Sequence, residues 1–170
     1  MTKAALKKHL KTMEKAEIID LMLELYDAKK EAKEYLDYFL NPQEDAKLDE
    51  YKRIIREEFY PKRGFPKCRF SVCRKAISDF KKLGSSPISQ ADLMLFLVEQ
   101  ATELTDDMGD MWEQYYDSAI SNLQAFMKFA DRNGFLPYFD ARLQRLVKLA
   151  SNIGWGYGDM TREIYYEYCG

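Results

Sequence analysis

The chain has 170 residues, 46% apolar and 32% charged, with a formal net charge of −2, a globular composition rather than a disordered one. A chain of this length can bury roughly 70% of the surface its unfolded form exposes, so stability requires neither a disulfide framework nor a structural metal. Three cysteines and one histidine argue against a disulfide scaffold and leave little for nucleophile–histidine chemistry.

The N-terminal sequence MTKAALKKHLKTMEKAEIID carries lysines but no continuous apolar core of a signal peptide. A first short helix is expected over 3–10. A long one follows over 15–40, with Ile18, Met22, Leu25, Ala32, Tyr35, Leu36 and Phe39 at helical spacing. Asn41-Pro42 stops it, because proline disfavours helix in the residue before it. A third helix over 43–59 repeats the pattern with Leu48, Tyr51, Ile55 and Phe59. Two prolines and a glycine in YPKRGFP, 60–66, break the chain again.

A strongly basic helix is predicted over 67–83, with Lys81 and Lys82 in its last turn, where cations suit the helix dipole, and Gly84 beyond it. The next, over 87–104, contains the run LMLFLV at 93–98. That run is far short of the ~20 residues a bilayer span needs. It leaves the helix no polar face there, which places it at the centre of the core. Helices over 110–133, with a stripe through Trp112, Tyr116, Ala119, Leu123, Phe126 and Ala130, and over 137–152 come next. After the turn IGWGYGD a short helix, 160–169, closes the chain. The sum is an all-α single domain over 1–170, an irregular multi-helix bundle of about eight helices in which helix pairs could stack in series. No phrase recurs at a period of 30–45 residues, so a regular solenoid is not supported. No membrane span is expected, and free thiols make a cytoplasmic location the default.

Candidate chemistry is sparse. His9 sits on a lysine-rich helix with no supporting motif. Asp106, Asp110, Glu113 and Asp117 share one side of a helix start but lack the glycine and alternating oxygen ligands of a calcium loop. Cys68 and Cys73 are about 140° apart on a helix, so they form no ligand pair. No metal or cofactor is expected. Gly154, Gly156 and Gly158 suggest a phosphate loop, yet no strand precedes them and no Lys-Ser/Thr follows. Close backbone approach is the better account, with Trp155 and Tyr157 packing or lining a crevice and Asp159 capping the last helix. The breaks at 60–66 and 153–159 are expected to frame the main crevice, lined by Tyr60, Phe65, Trp155, Tyr157 and Asp159, because binding residues gather on such loops.

The charge distribution is the most informative feature. Residues 52–82 hold eleven Lys and Arg against three acids, a net of +8 in a chain of −2. Phe70, Cys73, Ala76, Ile77, Phe80 and Leu83 form the apolar arc of the basic helix. Lys67, Arg74, Lys75, Lys81 and Lys82 face water, joined by Lys62 and Arg63 from the preceding loop. Arg69 falls inside the apolar arc and is expected to be buried and bonded to a carboxylate or helix-end carbonyls, since an unpaired buried charge is costly. The outward cations fit three readings: a surface for a phosphate-rich ligand flanked by Tyr60 and Phe65, an internal contact with the acidic segment 103–117, or a solvated face.

The phrases NP at 41–42, YPKRGF at 60–65, AISDFKKLG at 76–84, ADLMLF at 91–96, GD at 109–110 and IGWGYGD at 153–159 together resemble an uncharacterised family of small bacterial helical proteins, a domain of unknown function. The likeness covers essentially the whole chain in the same order. It implies an all-helical, cytoplasmic single domain and supplies no activity, cofactor or catalytic residue. The expected function is that of a non-catalytic interaction or scaffold protein with an unidentified protein partner, engaged through the basic cluster or a groove. A nucleic-acid-associated accessory protein using residues 52–82 is the alternative, and an enzyme is the least expected.

Overall fold

The computed structural model describes residues 2–170. They form nine α-helices and no strand: α1 Lys3–Leu10, α2 Lys15–Ala28, α3 Lys30–Leu40, α4 Glu44–Phe59, α5 Phe70–Lys82, α6 Pro87–Met108, α7 Glu113–Arg132, α8 Leu136–Ala150 and α9 Tyr157–Cys169. The all-α, irregular multi-helix class follows the helical periodicity, with one more helix than expected.

The extra helix comes from a break at Lys29, whose backbone is extended (φ −133°, ψ 115°). No glycine or proline marks it. Its consequence shows in the hydrogen bond that the Tyr26 hydroxyl donates to Asp37 Oδ1 at 2.8 Å. In one straight helix those residues would lie ~16 Å apart along the axis, so the break lets α3 fold back on α2.

The chain divides into two compact units, one ending at Gln43 and one from Glu44 to Gly170. In the first, α2 packs on α3. Its start is fixed by a capping box between Glu14 and Glu17, the Glu14 N–H donating to Glu17 Oε2 at 2.8 Å.

The second unit is built around α6, which contacts α4, α5, α7 and α8. Pro87 occupies its first turn and the Ser86 hydroxyl accepts from the Ser89 N–H, an N-terminal signature. Leu93, Leu95, Leu97, Val98 and Leu104 are fully buried, as an apolar run with no polar face requires. Four edge-to-face ring contacts among Phe59, Phe70, Tyr115 and Tyr116, and a tilted one from Tyr116 to Tyr157, carry packing from α4 and α5 through α7 to α9. α9 packs on α7 and α8.

Candidate functional site

The loop between α4 and α5 is folded around one residue. Glu58, in the last turn of α4, is buried. Its backbone carbonyl accepts from the N–H groups of Lys67 and Cys68, both at 3.0 Å. Its carboxylate accepts from the Arg69 N–H at 3.2 Å, Nε at 2.9 Å and Nη2 at 2.7 Å. Cys68 is buried between these bonds in a left-handed conformation (φ +51°) that non-glycine residues rarely adopt. Arg69 thus has its expected carboxylate partner, but the burial is reversed: the Arg69 side chain is 52% exposed and the Glu58 side chain 7%. Arg69 is the N-cap of α5 rather than a residue inside it.

Hydrogen bonds from Arg69 hold the Glu58 carboxyl below its ordinary pKa against the opposing effect of burial. A depressed folded-state value stabilises the fold above the ordinary carboxylate range, near 4.3, and that contribution is lost as pH falls through the lower, folded value. Glu58→Gln should lower folding stability by about 2 kcal/mol, the scale of hydrogen bonds to a charged group. Urea denaturation at pH 7 measures it, and the difference from the unmodified protein should shrink towards pH 3. Equal midpoints at pH 7 would remove Glu58 as the anchor of the loop.

With its two ends fixed on Glu58, the loop holds Lys62, Arg63 and Phe65 in solvent, Phe65 at 90% exposure. Lys67 follows, and on α5 Arg74, Lys75, Lys81 and Lys82 are exposed as well. Lys75 and Lys82 both pair with Asp79, the latter at 3.0 Å, and hold its carboxyl below the ordinary range. Lys62, Arg63, Lys67, Arg74 and Lys81 make no ion pair among the described residues.

The acidic segment 103–117 does not supply the missing countercharge. Asp107 accepts from the Tyr60 hydroxyl at 2.7 Å, Glu103 from Gln100 Nε2 at 2.5 Å, and Asp110 from the Tyr116 hydroxyl at 3.5 Å. Pairing in the basic stretch is partial on both helices, and on α4 Arg53 is exposed without an ion pair among the described residues. Two of the stretch's three α4 cations are matched by α6: Lys52 pairs with Asp92 at 2.7 Å and Arg56 Nε donates to Gln100 Oε1 at 3.1 Å, its guanidinium over the Phe96 ring. Beyond them Arg142 of α8 binds Glu99 through Nε and Nη2, at 2.8 and 2.6 Å, and also pairs with Asp92. This Lys52–Asp92–Arg142–Glu99 network joins α4, α6 and α8.

The residues predicted to line a crevice sit in different settings. A cleft of about 360 Å³ lies against α4, α6 and α8, lined by Arg56, Tyr60, Gln100, Glu103, Asp106, Asp107 and Leu149; of the expected five, only Tyr60 borders it. Tyr157, expected at a crevice, is buried. It begins α9 and shares a 2.6 Å hydrogen bond with the Thr102 hydroxyl. Trp155 is 60% exposed, in a left-handed conformation (φ +58°). Asp159 does not cap α9: the N-cap is Gly156 (φ +73°), and Asp159 accepts from Arg162 Nη2 at 2.6 Å. Three N–H groups of the turn are used internally, Ile153 N bonding to Ala150 O, Tyr157 N to Gly154 O and Met160 N to Gly156 O.

Burial pushes the Cys68 thiol up to about 11 and the Cys73 thiol up to about 12, which keeps both protonated and poorly nucleophilic at neutral pH. Among the described residues, no group of three or more His, Cys, Asp and Glu side chains is placed to hold a metal ion, and no helix is long and apolar enough to cross a membrane.

A family of unknown function, DUF6155, matches residues 1–167. The chain belongs to that family. No match is found among curated proteins or among solved structures. Membership in DUF6155 spans nearly the whole chain, both units included. It agrees with the whole-length resemblance seen in the sequence and brings no activity with it.

Proposed function

We propose that this protein is a non-catalytic interaction protein that engages an acidic protein surface through the cationic face formed by α5 and the loop before it. The observation that supports this is the asymmetry of the basic stretch. Lys52, Arg56 and Arg69 are each held by a carboxylate or amide partner, whereas Lys62, Arg63, Lys67, Arg74 and Lys81 stand together in solvent without an ion pair. Aligning like charges gives up the i,i+4 pairs, ~0.3–0.5 kcal/mol each, that a mixed surface would gain. A complementary surface restores that loss and steers encounter. Three free thiols suit a reducing cytoplasm.

A second reading, binding to single-stranded nucleic acid, rests on Phe65, which stands 90% exposed among Lys62, Arg63 and Lys67. An exposed ring among cations is a stacking platform for a base. Fluorescence anisotropy with a labelled poly-glutamate peptide and with a mixed-sequence single-stranded RNA, each over a salt series, separates the two. The first reading expects peptide binding that weakens with salt and is lost in Arg74→Glu/Lys75→Glu/Lys81→Glu, with thermal stability unchanged. RNA binding lost in Phe65→Ala would replace it, and no binding to either polyanion would end both.

A further inference from the structure

The helix α2 is built for two apolar neighbours, and within its unit α3 is the helix packed on it. Ile18, Ile19, Leu21, Met22, Leu23 and Leu25 spread over roughly 200° of its circumference at 100° per residue, about twice the stripe of a helix with one apolar contact face. α3 covers part of that arc, and no residue of α2 is buried. Ile19 is 48% exposed, Leu23 57% and Leu25 43%; on α3, Phe39 is 68% exposed and Leu40 77%. Nine large apolar side chains before Gln43 are at least 40% exposed. At roughly 150–200 Å² for each whole side chain, the six of them on α1 and α2 offer on the order of 500 Å² before the charged rim is counted, one partner's share of a weak, reversible interface.

The charges of the same segment indicate what covers it. Lys3, Lys7 and Lys11 form an i, i+4, i+8 stripe on α1, with Lys8 and Lys15 beside it. Residues 16–28 carry only acids, Glu17, Asp20, Glu24 and Asp27, gathered on the narrow polar arc of α2. Apart from Glu17, which serves the capping box, none of these groups has an ion-pair or hydrogen-bond partner on its side chain among the described residues. A cationic stripe followed by an anionic one along one segment is complementary to itself when reversed. A second copy laid antiparallel about a two-fold axis would bring each stripe against its opposite, whereas a parallel copy would set like against like.

We propose that α1 and α2 form an isologous, antiparallel homodimer interface, with the apolar arc of α2 at its centre and the Lys and Asp/Glu stripes at its rim. Sedimentation of the full chain from about 1 to 100 µM should show a monomer–dimer equilibrium. Ile19→Glu/Leu23→Glu, at exposed positions, should be monomeric throughout, with helical circular dichroism retained. Lys7→Glu/Lys11→Glu and Asp20→Lys/Glu24→Lys should each raise the dimer Kd about tenfold, as four reversed rim pairs would. All four changes in one chain should restore it. A wild-type chain that stays monomeric, or a dimer that survives Ile19→Glu/Leu23→Glu, overturns the interface. A fourfold variant as weak as the two double variants overturns the antiparallel arrangement.

Discussion

Replacing Arg142 with methionine should lower folding stability by about 3 kcal/mol, within the range for removing one partner of a largely desolvated charge pair. The Asp92 and Glu99 side chains are only 21% and 20% exposed, and the Arg142 side chain 28%. Methionine keeps the aliphatic contact with the Phe139 ring, over which the guanidinium now lies, but leaves both Glu99 oxygens and one Asp92 oxygen without their donors. Lys52 still serves the other Asp92 oxygen, so Glu99 is the group most exposed to the loss. Adding Glu99→Gln to Arg142→Met should recover more than half of the lost stability, because the uncompensated charge goes with the substitution while Lys52 keeps its Asp92 partner. Burial would raise the Asp92 carboxyl, but hydrogen bonds from Lys52 and Arg142 outweigh it and hold the value below ordinary. The Asp92 contribution is therefore complete above about pH 4 and is lost as pH falls through the depressed folded value. Urea midpoints of the three proteins at pH 7 and pH 3 decide this, and an Arg142→Met midpoint equal to wild type at pH 7 would show the network to be energetically idle.

The three glycines of IGWGYGD should respond to alanine in a fixed order. A Cβ on Gly158 would lie 2.5 Å from the Ala150 carbonyl oxygen and 3.3 Å from Ser151 Cα, backbone atoms at the end of α8. Neither helix can yield without displacing the other, so Gly158→Ala should cost about 3 kcal/mol, the upper end for overpacking, and lower the melting temperature by roughly 6–12 °C. Gly156→Ala meets only the Met160 methyl at 3.9 Å, an ordinary contact, but must hold φ +73°, a left-handed strain of about 1–2 kcal/mol. Gly154→Ala has neither problem, its nearest neighbours being the Asp110 carboxylate oxygens at 3.9 Å, and should stay within about 0.5 kcal/mol of wild type. Thermal melts of the three variants give the order, and an unaffected Gly158→Ala would refute the close-packing account of the motif.

What periodicity could show, it showed. The apolar run at 93–98 placed α6 at the centre, and the expected stripe lies buried along α7 from Tyr116 to Ala130, but Trp112, read as its first member, is the N-cap and 51% exposed. The departures occur where a helical wheel was applied to residues outside the helix. Arg69 appeared inside an apolar arc, but it is the N-cap of α5, so a helical angle does not describe it. Its position still signalled a carboxylate partner, only with Glu58 as the buried member. Tyr157 shows the reverse case. The glycines hid the start of α9, and a residue read as turn belongs to a core face with Thr161 and Ile164. The break at Lys29 has no residue of its own to signal it, because the packing of α3 against α2 makes it. The pairing of α6 with α4 and α8 spans 40 to 50 residues in sequence, which no local pattern records. Arg142 left only a faint trace, at the edge of the apolar arc through Phe139, Leu143 and Leu146.

The encirclement of α6 also limits how the chain can change length. One residue inserted between Leu93 and Leu104 would turn everything after it by about 100°. Glu99 and Gln100 would rotate away from their α8 and α4 partners, and Thr102 away from Tyr157. A helix with one packed face can absorb such a shift by sliding its solvent side inward; α6 packs on α4, α5, α7 and α8 and bonds to Tyr157 of α9, and from Leu93 to Leu104 only Glu103 is exposed. The loop at 60–66, closed at its base by Glu58 and open at its tip, has no such restriction. Insertions and deletions should therefore be tolerated at the rim of the bundle, whereas the spacing of residues along its central rod admits none.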